Sequence, residues 1–115
     1  MIDKDQRNVE SALHHLDVLK SYLERGTLDD PVLFDAVCLR LGASIEVAAK
    51  LSEDARGQAF GATWKAIWST RNRIAHAYEY IDPQLIRSTI ESDLTAYEGA
   101  LRGLLRHEPD IRSAP

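Results

Sequence analysis

Cysteine is nearly absent. The single Cys38 excludes an intrachain disulfide, and its neighbours Val37 and Leu39 make it a small core residue rather than a nucleophile or ligand. Long apolar runs are missing too, since none approaches the ~18 residues a membrane span needs. The opening MIDKDQRNVE has neither an apolar leader segment nor a small-residue cleavage site, so a cytoplasmic protein with no membrane association is expected. No low-complexity tract is present, and 44% hydrophobic with 28% charged residues is ordinary for a folded chain. At 115 residues there is room for one domain with one core.

An excess of positive charge is also lacking. The net charge of −4 excludes a protein that coats nucleic acid indiscriminately, because such binding rests on many Lys and Arg contacts to phosphate. One local absence runs the other way. Between Ala55 and Tyr78 there is no Asp or Glu, although the chain carries 18, and a proportional share would be about 3 to 4. Arg56, Lys65, Arg71 and Arg73 all fall in that stretch, which predicts a local basic surface suited to a small anionic site.

What is present is helical period. Val9, Ala12, Leu13, Leu16, Leu19, Tyr22 and Leu23 lay one apolar stripe along a helix from roughly Asp5 to Arg25, with Gly26 as a C-terminal cap that tolerates positive φ. Asp30-Pro31 starts a second helix, running roughly to Leu51. Phe34, Val37, Leu41, Ile45 and Ala48 form its core stripe. Leu39, Gly42, Ala43, Glu46 and Ala49 line nearly the opposite side, where small residues let another helix approach. Glu46 there needs a basic partner. Ser52 to Gly61 reads as the weakest stretch for helix, with SEDAR as a short turn of it. A third helix is predicted from roughly Thr63 to Ala77. A fourth starts at Asp82-Pro83 and carries Ile86, Ile90, Leu94, Tyr97, Leu101 and Leu104 to about Leu105. The fold expected is an all-α antiparallel bundle of four, up to five, helices over residues 1–107, with 108–115 as a frayed tail.

The third helix poses the chemical question. Its apolar stripe is Trp64, Ile67, Trp68, Ile74 and Ala75, and Arg71 falls inside it. A guanidinium keeps its charge, so it must pair with an acid such as Glu46 or face a cleft that an anion enters. Tyr78 follows two turns later on almost the same face. His76, five residues from Arg71 at ~100° each, lies roughly 140° away around an unbroken helix. Either the helix ends near His76 or the site is completed elsewhere, and a symmetric contact could bring two copies together. Each residue alone has a plain structural reading; the residues by themselves leave both readings open. His14 and His15, with Glu10 four residues before His14, hint at a metal. A di-metal bundle needs Glu-x-x-His on two helices, which this chain lacks, so neither metal nor cofactor is expected. His107 lies beyond the last stripe and is expected in solvent.

Arg71, four residues, His76, one residue, Tyr78 resembles the signature of HepT, the toxin branch of the all-helical HEPN ribonucleases. Asn72 and Arg73 complete an "RNR", an Ile-Ala pair precedes the His, and Ile81-Asp82 follows. Upstream, Ile45-Glu46 and Ala48-Ala49-Lys50 are similar to a "GEAAK" stretch, with Ser44-Ile45 and Val47 as departures. Ala77 stands where the family often has Gly. The likeness spans about Leu33 to Leu105.

The resemblance implies a HEPN-like fold and a homodimeric, metal-independent endoribonuclease, the toxin of a type VII-like toxin–antitoxin pair. Cleaving RNA without a metal requires a base for the 2′-hydroxyl proton, an acid for the leaving oxygen and a cation at the phosphate. His76 is the implied base or acid, with a second from the partner subunit, and Arg71 the implied phosphate clamp. Asn72, four residues before His76, is placed to orient the ring or contact phosphate; Arg73 supports substrate binding; Glu46 holds Arg71 from behind. In similar toxins the Tyr at the position of Tyr78 accepts AMP from a nucleotidyltransferase antitoxin of the MntA type, which silences the nuclease. The main alternative is a catalytically silent HEPN-fold dimer that binds a nucleotidyltransferase; a plain structural bundle, with Arg71 locked to Glu46, is the other.

Overall fold

The computed structural model describes residues 2–76 and 82–113, with 107–113 as backbone alone; among these there are six α-helices and no strand. Helix α1 spans Asp3–Leu23 and α2 spans Pro31–Ala48. Both match the expected periods. Val9, Ala12, Leu13, Leu16 and Leu19 of α1 are buried against α2, with Tyr22 and Leu23 half-covered at the end of the same stripe. Fully buried leucines such as Leu16 and Leu19 each contribute about 1.5–3 kcal/mol by leaving water. Asp30 caps α2 as read, accepting from the Val32 amide at 2.9 Å.

The end of α1 differs from the expectation. Gly26 does not take a positive φ; among the described residues that conformation belongs to Gly61, at φ +54°. The helix closes instead by a tight i to i+3 bond from the Arg25 amide to the Tyr22 carbonyl at 3.0 Å, which needs no left-handed residue. Helix α2 likewise stops at Ala48, short of Leu51, where the amides of Lys50 and Leu51 turn back to Val47 and Ala48.

Helix α3, Glu53–Ala59, is more than the single turn expected. Ser52 caps it by accepting from the Ala55 amide at 3.2 Å, and Ser52 is itself held by a residue far away in the chain. Asp5, 2% exposed, accepts from the Ser52 amide at 2.8 Å and from its hydroxyl at 2.7 Å. A 3₁₀ turn over Gly61–Thr63 then leads into α4, Trp64–His76.

Asp82 caps the next helix as expected, accepting from the Gln84 amide at 3.0 Å. What the sequence presents as one helix is α5 (Pro83–Ser88), a π-helical turn (Thr89–Asp93) and α6 (Leu94–Ser113). The core stripe survives the wide turn, with Ile86, Leu94, Tyr97, Leu101 and Leu104 all buried. The backbone stays helical to Ser113, past the Leu105 at which the apolar stripe ends. Extending an existing helix adds a hydrogen bond per residue without the cost of nucleation. His107 lies among residues whose side chains are outside the description.

The layers are simple. Helix α2 packs on α1 along one side and on α4 along another, while α6 closes over α1 and α3. Ser44, buried in the middle of α2, donates to the Ala12 carbonyl at 3.0 Å and shares a 2.9 Å hydrogen bond with the Tyr97 hydroxyl, joining three helices. Burial pushes the Tyr97 phenol far above its ordinary range, so it remains a neutral hydroxyl. Cys38 is buried as expected, and burial, with Asp35 nearby, raises its thiol to about 11. Among the described residues no helix is long and apolar enough to cross a membrane.

Candidate functional site around Arg71

Helix α4 owes its position to α2. At Gly42 the two helices approach so closely that an added Cβ would lie 3.5 Å from Ile74 Cγ2, which is the use expected of the small residues on that side of α2. One turn further along α2, Glu46 meets Arg71: Nη2 donates to Oε1 at 2.5 Å. The acid expected to need a basic partner has one. It is not a buried acid, however, because the Glu46 side chain is 55% exposed while Arg71 is 20% exposed.

Arg71 has two further neighbours. Its Nη1 donates to Asn72 Oδ1 at 3.2 Å, and its guanidinium carbon lies 4.8 Å from the centre of the Trp68 ring. Asn72 therefore turns toward Arg71 rather than toward His76 four residues on. Its carbonyl oxygen is drawn to the nearest cation, and an interaction with a charge outweighs a neutral one. Trp68 is the residue that sequence reasoning missed. It stands three residues before Arg71, a spacing that puts both on one helix face, but it read as one more member of the core stripe.

His76 is the last described residue of α4 and is exposed. Because the helix is continuous from Trp64, the ~140° offset from Arg71 holds, and a single copy of the chain does not bring the two side chains together. An end of the helix near His76 falls at the edge of the described residues, and Tyr78 lies outside them. Arg73 is exposed and makes no ion pair among the described residues.

The basic surface read from the acid-free stretch is smaller than its four cations. Arg56 turns inward: Nη1 donates to the Ala49 carbonyl at 3.2 Å and the guanidinium sits 5.5 Å from the centre of the Trp64 ring. Lys65 and Arg73 remain exposed and Arg71 is half-buried, and around the continuous helix Arg71 lies ~120° from Lys65 and ~160° from Arg73, so the three do not form one patch. Helix α4 itself is less covered than its apolar stripe implies, since none of its residues is fully buried. A groove of about 490 Å³ runs along it, floored by Leu41, Ile45, Phe60 and Tyr97 and edged by Thr70 and Asp93.

Of the other histidines, His15 is held by a neighbouring arginine while His14 is exposed. Arg40 Nη1 lies 3.0 Å from His15 Nδ1; since arginine only donates, Nδ1 accepts and the ring proton sits on Nε2. Burial, then Arg40 and His14, lower the His15 pKa below its ordinary value. Among the described residues no three His, Cys, Asp or Glu side chains converge as a metal site would require.

A protein-family model described as Ribonuclease HepT-like matches residues 12–104, from the middle of α1 to Leu104 of α6. Among curated proteins and among solved structures, none matches the chain.

Proposed function

The chain belongs to the HepT-like ribonuclease family, and on that premise we propose that it is a metal-independent endoribonuclease, the toxin of a toxin–antitoxin pair, with Arg71 and His76 at its centre. The observation that carries the reading is the half-buried guanidinium of Arg71, oriented by Glu46, Asn72 and Trp68. Two of its five N–H groups are engaged by Glu46 and Asn72, which leaves enough for a two-bond grip on a phosphate.

In the reaction, the His76 imidazole removes the proton from a ribose 2′-hydroxyl. The 2′-oxygen attacks the adjacent phosphorus, charge builds on the phosphoryl oxygens beside Arg71, and the P–O5′ bond breaks. A second imidazole protonates the departing 5′-oxygen, leaving a 2′,3′-cyclic phosphate and a 5′-hydroxyl. Imidazole serves both steps because it exchanges protons near neutral pH. Arg71 stabilises charge that is greatest in the transition state, which is where a cation accelerates the step most.

A single chain offers one such histidine, displaced around the helix from Arg71, so the second proton carrier is His76 of the partner subunit in a homodimer. The surface of α2 supports this. Val32 and Leu39 are 76% and 68% exposed, and they fall in a seven-residue register with Glu46, so an uncovered apolar line leads directly to the Arg71 ion pair. A two-fold contact along it brings two copies of the site together.

Silencing follows from the same charge. Transfer of AMP from a cognate nucleotidyltransferase to the Tyr78 hydroxyl adds a phosphate two residues from His76 and seven from Arg71, competing with RNA for the cation.

Growth and RNA integrity test the reading when the chain and a His76→Ala variant are expressed without any neighbouring gene. The expected result is growth arrest with fragmented RNA for the parent and neither for the variant. If both are harmless, and the parent is folded and free of AMP, catalysis is abandoned in favour of a silent dimer that binds the nucleotidyltransferase.

A further inference from the structure

The ion pair is a weak hold on Arg71. Glu46 is 55% exposed, and a pair so open to water fixes neither partner firmly. Asn72 is the next residue on the same helix and moves with Arg71. What remains is the Trp68 ring, 4.8 Å from the guanidinium carbon. That ring is not free to swing. It stacks on Trp64 at 6.0 Å, Trp64 packs on Phe60 at 5.6 Å, and Phe60 stacks on Tyr97 at 5.5 Å with the planes only 14° apart. Tyr97 in turn is buried and tied to Ser44, which is tied to the Ala12 carbonyl. A column of four rings thus runs from the centre of the bundle to the guanidinium.

We propose that Trp68 is the positioning residue of this site: its ring fixes the plane of the Arg71 guanidinium, so that the N–H groups left by Glu46 and Asn72 meet the RNA phosphate as a set fork. The assignment rests on Arg71 being the phosphate-binding cation. A flat cation on an aromatic face is held by the ring's quadrupole, and the strength grows as water is excluded. Arginine needs this more than lysine does, because a two-bond grip depends on the plane as well as the place of the charge.

Three variants and a cycle test it, with cleavage of a short RNA as the assay and circular dichroism as the folding check. Trp68→Leu keeps apolar bulk without a π face and should lower kcat/KM about tenfold, while Trp68→Phe should stay within about threefold of the parent. In an Arg71→Ala background, Trp68→Leu should change the residual rate by less than about twofold, because a residue acting through Arg71 has nothing left to act on. A merely structural tryptophan would cost the same factor in both backgrounds, and that result overturns the assignment. So does Trp68→Leu cleaving like the parent, or Trp68→Phe falling as far as Trp68→Leu.

A second measurement covers a leucine variant that does not fold. The chain has two tryptophans, so Trp64→Phe leaves Trp68 as the one indole fluorophore. Adding Arg71→Ala should uncover the ring and steepen acrylamide quenching; unchanged quenching overturns the contact on which the proposal depends. A parent that cuts no RNA removes the reaction itself, whereas a parent that cuts, with an indifferent Trp68→Leu, removes this assignment alone.

Discussion

Replacing Asp5 should destabilise the fold far more than a carboxylate in the first turn of an amino-terminal helix ordinarily would. The side chain is 2% exposed and accepts two hydrogen bonds from Ser52, at 2.8 Å from the amide and 2.7 Å from the hydroxyl. Hydrogen bonds to a charged group contribute about 1.5–3 kcal/mol each, and the two are not additive because they share one donor residue. Asp5→Ala therefore loses about 3 kcal/mol and strands the Ser52 amide at the start of α3. At about 4 °C per kcal/mol for a domain of this size, the melting temperature falls by roughly 12 °C. Asp5→Asn keeps an oxygen for the amide and should lose about half as much. Thermal and urea unfolding followed by circular dichroism read both. If Asp5→Ala costs under about 1 kcal/mol, or Asn is as damaging as Ala, then Asp5 is not the latch described. The consequence reaches the site, because α3 leads directly into Phe60, one ring of the column beneath Arg71.

Gly42→Ala should stabilise the chain by about 0.5–1 kcal/mol, since a helical glycine gains from a Cβ and the 3.5 Å approach to Ile74 is ordinary contact. Gly42→Leu should cost about 1–3 kcal/mol by wedging α2 from α4, and thermal melts separate the two. His15 gives a dependence on pH. Its folded pKa lies below the ordinary 6.5, so the folded chain takes up this proton less readily than the unfolded one. Stability is then fully present above about pH 6.5, declines as the pH drops through that value toward the lower folded pKa, and levels off below it. Urea midpoints for the parent and for His15→Gln, measured from about pH 7.5 to 5, should converge if this is right, the variant showing the flatter curve.

Much of this fold is legible in the sequence because it is local. Asp30 and Asp82 cap their helices with bonds that span two residues, and the stripe from Ile86 to Leu104 needs only its period to be read. What is not legible depends on distance along the chain. Asp5 and Ser52 are 47 residues apart, and Ser44 meets Tyr97 across 53, so neither polar contact leaves a local trace. The π turn at Thr89–Asp93 is hidden for a different reason: steps of four residues suit an α-helix and a slightly wider one alike.

The site divides in the same way. Glu46 facing Arg71 is readable, because a carboxylate on an apolar side of one helix and a guanidinium in the apolar stripe of another each need a partner. The contact of Asn72 with Arg71 is not legible, because the i, i+4 rule points Asn72 to His76, whereas the adjacent guanidinium offers a charge. Trp68 is passed over because at its place in the stripe a ring against the core and a ring beneath a cation look the same. The half-buried state of α4 is likewise outside the reach of period alone, since the pattern marks which face is apolar and not how much of it is covered.

The most direct measurement uses the purified chain, with chelator present, on a short synthetic RNA and on its copy carrying a single 2′-deoxy residue at the cut. The expected result is cleavage of the RNA with a 2′,3′-cyclic phosphate end, an intact deoxy-substituted copy, and a loss of about 10²–10³ in rate for Arg71→Ala. Cleavage of the deoxy linkage, or an Arg71→Ala variant as fast as the parent, would contradict it.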